Sequence, residues 1–265
     1  MTNKQSFQFI VTRPANRANR LVDCLRQLSN PTVQLQIESC PLIQIADYSE
    51  DFTADLSNFD GVVFISGNAV DQASKQLSET EWKKLLSNRL YAIGQQTAAI
   101  LQKDVKQLAS EQSAAEHKVH FPEQMNSEGF LAMPELTELN GQNWLIVKGL
   151  GGREKLKLGL QAAGAKVDEL PVYQRKLPDL TAQKQVISLS RNNPYWLVTS
   201  LQALNNLWRI LEKKPNGCRI IVCSDRIAQQ GQKLGFNIEA QAQDASDQQL
   251  TRCVENMLAK AEQNH

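Results

Sequence analysis

The sequence predicts an α/β protein made of two similar units, each a parallel sheet with helices on both faces. Three observations predict it. Apolar runs alternate with helical patterns along nearly the whole chain, and that alternation calls for parallel strands joined by helices. The same strand-to-helix corner occurs twice, as GVVFISGNAVDQA (Gly61 to Ala73) and YWLVTSLQALNNL (Tyr195 to Leu207). And 265 residues are many for one domain and comfortable for two.

In chain order the predicted strands are FQFIVT, VQLQIE, PLIQIA, GVVFIS, LYAIG, VKQLA, NWLIVK, KVDELPVY, YWLVTS, RIIVCS and NIEAQ. Several are unbroken apolar runs, as expected of strands covered on both faces. Helical patterns lie between them, among them RANRLVDCLRQL, REKLKLGLQAAG and RIAQQGQKLG. Gly164 and Gly235 stand where two of these helices should stop. Ala109 to Glu123 is polar and irregular and reads as a loop.

The repeat extends past its first corner. LYAIGQQTAAIL follows one copy and RIIVCSDRIAQQ the other, so Ser66 matches Ser200, Ala69 matches Ala203, Gly94 matches Ser224 and Ala98 matches Ala228. The first amides of a helix lack partners within it, and the helix dipole makes that end positive. A small residue there lets a ligand approach the backbone, and the natural ligand is a carboxylate or phosphate. Ser66, Gly94, Ser200 and Ser224 are candidates for such contacts. Small residues at strand ends also simply permit tight turns, so one corner alone fits either reading.

A further corner, NWLIVKGLGGREKLKLGL, runs a strand into Gly149, Gly151 and Gly152, after which Arg153 opens a helix. It fails the dinucleotide pattern G-x-G-x-x-G, because Glu154 holds the sixth position, and no G-K-[ST] follows. Gly151 with Arg153 suits a carboxylate as well as a nucleotide. Arg13, after the first strand, is a second arginine that a ligand could meet or that water could simply solvate.

Other classes are disfavoured. The net charge of +1 argues against a nucleic-acid surface. No apolar run nears the roughly 20 residues of a membrane span, and the N-terminal stretch reads as a strand instead of a signal peptide. Five scattered cysteines (Cys24, Cys40, Cys218, Cys223, Cys253) without a CxxC pair fit a reduced, cytoplasmic compartment. His117 and His120 are close in EHKVH, but no ligand cluster follows, so no metal site is expected. No G-x-S-x-G elbow occurs.

VTRP, FISGNAV, AIGQQTA, SEGFLA, KGLGGREKL, GAKV with PVYQR, WLVTS and SDRIA occur in this order. The ordered set resembles the uroporphyrinogen-III synthase family over nearly the whole chain. Ile65, Lys148 and Leu150 depart from residues common in that family, where threonine, arginine and a smaller side chain stand. The resemblance implies two flavodoxin-like doubly wound domains joined by a two-stranded ladder, with the active-site cleft between them. It implies a discontinuous first domain (1–37 plus 174–265), a second domain (42–168) and linking segments 38–41 and 169–173. The implied substrate is hydroxymethylbilane, a linear tetrapyrrole with acetate and propionate arms on every ring. The implied reaction is a cyclisation that loses water and inverts the last ring, a hydro-lyase chemistry with no cofactor or metal. Many carboxylates would explain many anion-binding corners. Tyr173 matches the family's tyrosine and is the implied proton donor, since a phenol keeps its proton at neutral pH. Arg13, Ser66, Asn68, Gly94, Thr97, Gly151, Arg153, Thr199, Ser200 and Ser224 are the expected substrate contacts, and Lys148 is expected at the periphery. The expected partners are the substrate and, transiently, hydroxymethylbilane synthase, with no nucleic acid and no membrane, and the expected state is a monomer. Two rival readings are a non-enzymatic two-lobed binder of anionic ligands and a nucleotide-dependent transferase using the GLGGR corner.

Overall fold

The computed structural model describes residues 5–49, 52, 54–108, 118–152 and 154–263. Along the chain run β1 (Gln5–Val11), α1 (Ala15–Arg26), β2 (Val33–Ser39), β3 (Gln44–Asp47), β4 (Gly61–Phe64), α2 (Gly67–Gln76), α3 (Glu79–Leu86), β5 (Leu90–Ala92) and α4 (Gln95–Leu108). There follow α5 (Ser127–Leu131), β6 (Asn143–Gly149), α6 (Lys155–Ala162), β7 (Lys166–Lys176), α7 (Leu180–Ser190), β8 (Tyr195–Val198), α8 (Leu201–Ile210), β9 (Arg219–Val222), α9 (Asp225–Lys233), β10 (Asn237–Gln241) and α10 (Asp247–Gln263).

The chain divides into two compact units, one of Met1–Gln44 with Lys176–His265 and one of Ile45–Arg175. The first carries a five-stranded sheet of order β10-β9-β8-β1-β2, all its pairs parallel. The second carries a sheet of order β3-β7-β6-β4-β5, in which β7, β6, β4 and β5 pair in parallel. In both, the connections leave the starting strand in one direction and return on its other side. The reversal falls between β1 and β8 in the first unit and between β4 and β6 in the second. Such reversals open a crevice outside the carboxyl ends of the strands, where ligands of α/β sheets bind.

The sheets are covered on both faces, as the unbroken apolar strands require. In the second unit Val62, Phe64, Leu145 and Val147 join one buried cluster, while Val63, Ile146, Tyr91 and Trp144 join another. That division is the two-residue alternation of a strand. Each fully buried Val, Leu or Phe contributes about 1.5–3 kcal/mol of transfer free energy. Gly164 and Gly235 follow α6 and α9 with φ of +101° and +87°, as helix-ending glycines do.

Of VKQLA, expected as a strand, residues 105–108 are the end of α4, and Ala109 lies outside the described residues. The reason is periodic: Ala98, Leu101 and Val105 are buried at helical spacing and form one stripe. The segments expected to link the domains are largely sheet. Glu38 and Ser39 pair with Ile10 and Val11, and Glu169, Leu170 and Tyr173 pair with β6. Of the expected loop at 109–123, residues 109–117 lie outside the described residues. His120, in its described part, bridges to Tyr91 beside β5. No helix among the described residues is long and apolar enough to cross a membrane.

Candidate functional site

In the second unit, strand register assembles a polar cluster at the reversal between β4 and β6. Phe64 pairs with Val147, so Ser66 and Gly149 come next to each other just beyond the paired residues, and Gly149 pairs with Tyr173. Three strands thus place Ser66, Gly149 and Tyr173 side by side. The middle position must be glycine: a Cβ on Gly149 would lie 2.6 Å from Cε2 and Cζ of the Tyr173 ring. Its bare backbone leaves room for the phenol to reach across β6 to β4.

The reach ends in hydrogen bonds. Tyr173 Oη lies 3.1 Å from Ser66 Oγ, and Arg175 Nη2 donates to the same phenol oxygen at 3.0 Å. A guanidinium can only donate, so the phenol accepts from Arg175 and its own proton is free to point at Ser66. Ser66 also caps α2, its Oγ accepting from the Ala69 N–H at 3.2 Å. Arg175 Cζ sits 5.4 Å from the centre of the Tyr173 ring, within cation–π reach. Tyr173 is fully buried.

The other expected residues of this unit surround the cluster unevenly. Asn68 and Thr97 are buried in the first turns of α2 and α4. Gly94 opens α4 with its carbonyl accepting from the Ala98 N–H, and the Met125 side chain lies against it. Gly151 and Gly152 have φ of +72° and +97°, values that favour glycine, and among the described residues, chain neighbours aside, nothing lies within 4 Å of where a Cβ would be. Arg153 lies outside the described residues. Lys148, expected at the periphery, is buried. It donates to Glu169 at 2.6 Å, and Lys157 donates to the same carboxylate at 3.1 Å. Burial pushes the Glu169 carboxyl up, but hydrogen bonds from the two lysines outweigh it and hold the group below the usual range. These three side chains, with Ile65, Ile93 and Leu156, line a cavity of ≈ 150 Å³.

In the first unit the corners follow β1, β8 and β9. Thr12 Oγ1 donates to the Leu197 carbonyl at 2.6 Å, closing the β1–β8 edge. Ser200 caps α8 by accepting from Ala203 N–H at 3.1 Å, the counterpart of Ser66 and Ala69. Ser224 starts α9 without a side-chain cap bond. Here the repeat breaks: Asp225 places a carboxylate in the first turn of α9, whereas α2 and α8 have none. An anion already present disfavours another. Arg13 is occupied too. Its Nη1 meets Asp247 Oδ1 at 2.5 Å and its Nη2 donates to the Ala245 carbonyl. Thr199 accepts a weak bond from the Cys223 thiol, which burial pushes up and Arg13 pulls back. No group of three or more His, Cys, Asp or Glu among the described residues is placed to hold a metal ion.

Arg175 entered the sequence reading only as the end of PVYQR. The signal was present, since residues two apart on a strand share a face, which puts Tyr173 and Arg175 together. The Lys148–Glu169–Lys157 group carried no such signal, because its members come from two strands and a helix.

The model of a family described as uroporphyrinogen-III synthase HemD matches residues 33–252. The chain is 29% identical over 254 residues to the uroporphyrinogen-III synthase of Escherichia coli strain K12, covering 93% of this chain and 99% of that one. It is 31% identical over 183 residues to the enzyme of that name from Proteus mirabilis, covering 66% and 83%. Among solved structures, the uroporphyrinogen-III synthetase of Helicobacter pylori 26695 is similar at a TM-score of 0.59 and 17% identity, over 98% of this chain and all of that one. At that identity the likeness speaks for the fold.

Proposed function

We propose, since this chain belongs to the uroporphyrinogen-III synthase family, that it cyclises hydroxymethylbilane to uroporphyrinogen III with inversion of the last ring and loss of water. One observation carries the siting of the chemistry: the Ser66–Tyr173–Arg175 cluster stands at the strand reversal of its sheet. In this reading the Tyr173 phenol donates the proton on which the departing hydroxyl leaves as water. Arg175 steadies the charge left on the phenol oxygen, and Ser66 orients the phenol. The phenol is covered in this structure, so its neighbours must move for the substrate to reach it.

The backbone amides that open α2, α4 and α8, with Ser66, Gly94, Thr199, Ser200 and the open glycines at 151–152, are assigned to the substrate's carboxylates. Arg153 remains an assignment from the family motif alone. Asn68, Thr97 and Ser224 are lesser candidates, for the burial and the neighbouring carboxylate described above. Each sheet is read as flavodoxin-like and doubly wound, in a first domain of 1–37 plus 174–265 and a second of 42–168. The proposal takes the protein as a cytoplasmic, cofactor-independent hydro-lyase acting as a monomer and meeting hydroxymethylbilane synthase transiently. All five cysteines are free thiols, as such a compartment permits. Purified protein given hydroxymethylbilane should form isomer III. Isomer I alone, at the protein-free rate, would remove the catalytic reading.

A further inference from the structure

We propose that the cavity lined by Lys148, Lys157 and Glu169 seats one carboxylate arm of the substrate; the proposal rests on the synthase reading above. Its position carries the argument. Ile65, Ile93 and Lys148, all in its lining, are the immediate chain neighbours of Ser66, Gly94 and Gly149. Adjacent Cα atoms are about 3.8 Å apart, so the cavity adjoins the strand ends where the reversal opens its crevice. Ile146 and Leu156, also in the lining, belong to the buried cluster on one face of the sheet, and Tyr173 belongs to the cluster on the other. The phenol and the cavity therefore flank the end of β6 from opposite faces, and the last residue there is Gly149, which has no side chain.

The lining suits a carboxylate on a short aliphatic stem. The isoleucines and Leu156 are apolar walls, and Lys148 and Lys157 bring ammonium groups. Arg13 faces an aspartate and a carbonyl of its own, but here two ammonium groups share the one carboxylate of Glu169, at 2.6 and 3.1 Å. One positive charge is left over in the lining. An ammonium also has more donors than the one each lysine gives to Glu169. Glu169 holds both lysines in place before a ligand arrives, so little ordering remains for binding to supply. Lys148 is buried, whereas the Lys157 side chain is 34% exposed, so a ligand reaches the group from the Lys157 side. The volume of ≈ 150 Å³ is that of a cavity that takes up benzene, a larger body than a propionate arm. The methylenes of such an arm lie against the apolar walls, and its carboxylate accepts from the remaining ammonium N–H groups.

Lys157→Met removes one donor and leaves Glu169 paired with Lys148. It should raise KM for hydroxymethylbilane about tenfold, the loss of one charge-assisted hydrogen bond, at unchanged kcat, because a contact made equally in ground and transition states affects binding alone. Ile93→Phe keeps both lysines but fills the cavity, and should raise KM likewise. Lys155→Met, on the same helix, removes a lysine that pairs with Glu128 instead and should leave KM at the wild-type value. Sodium propionate is a second probe, independent of turnover. Saturation transfer from the protein to its methyl group, read by NMR, should be weaker with Lys157→Met and Ile93→Phe than with wild type or Lys155→Met. A wild-type KM in either cavity variant overturns the assignment to the substrate, and weakened propionate transfer in the same variant would make the cavity a site for free carboxylates. Undiminished propionate transfer in both cavity variants, or a KM raised as much by Lys155→Met, overturns the proposal alone. A wild-type protein that makes no uroporphyrinogen III overturns the synthase reading and the substrate assignment with it, while propionate transfer still reports whether the cavity takes a carboxylate.

Discussion

Gly149→Ala is expected to displace the Tyr173 phenol, and the size of the effect follows from the structure. The added methyl would stand 2.6 Å from two ring carbons, where ordinary contact begins near 3.4 Å. The ring must therefore retreat by about 0.8 Å, and since it is fully buried it must do so within a closely packed interior. A retreat of that size directed away from Ser66 lengthens their 3.1 Å contact to about 3.9 Å, beyond hydrogen-bonding reach. Overpacking of this kind costs about 1–3 kcal/mol and the lost bond about 1 more. Urea unfolding followed by tryptophan fluorescence measures the sum. Tyr173→Ala alone should cost about 3–5 kcal/mol through the cavity it opens. The double variant should cost less than the two singles together, by at least about 1 kcal/mol, because the new methyl then occupies vacated space. A Gly149→Ala protein within about 0.5 kcal/mol of wild type, or simple addition in the double variant, would refute the reasoning.

Arg13→Ala should lower stability by about 1–3 kcal/mol, because its bonds to Asp247 and the Ala245 carbonyl are lost and Asp247 keeps only the exposed Arg20 at 3.7 Å, with little change in KM; an unchanged melting temperature with a raised KM would restore Arg13 to the substrate. Glu169 is held below its ordinary range when folded, so its stabilisation is complete above that range and fades as pH falls through the lowered value. The melting-temperature gap between wild type and Glu169→Gln should therefore narrow in acid, and a gap constant from about pH 7 to 3 would contradict the ion cluster's role.

Local order was legible in the sequence. The serines that start α2 and α8 announce themselves by their place between an apolar run and a helical pattern, and both cap their helices. What comes from distant segments was not. Nothing near Arg13 points to Asp247, 234 positions away. Nothing in GLGGR says that its first glycine clears a path for a tyrosine, because that depends on the register of β6 with both β4 and β7. VKQLA misled because a short window read alone hides the longer helical stripe from Ala98 to Val105. Asp225 was in plain view in SDRIA, but matching Ser224 to Gly94 directed the reading to the residue at the corner and away from the charge beside it.

The most direct test of the whole account is the isomer formed by wild type and by Tyr173→Phe. Hydroxymethylbilane generated in place from porphobilinogen is offered to each protein, and the products are oxidised and separated as porphyrin isomers. The account predicts chiefly isomer III from wild type and a sharp fall in its rate with Tyr173→Phe, which keeps the ring and its packing but removes the proton. Equal rates of isomer III from the two proteins would contradict the assignment of Tyr173, and isomer I alone from wild type would contradict the function.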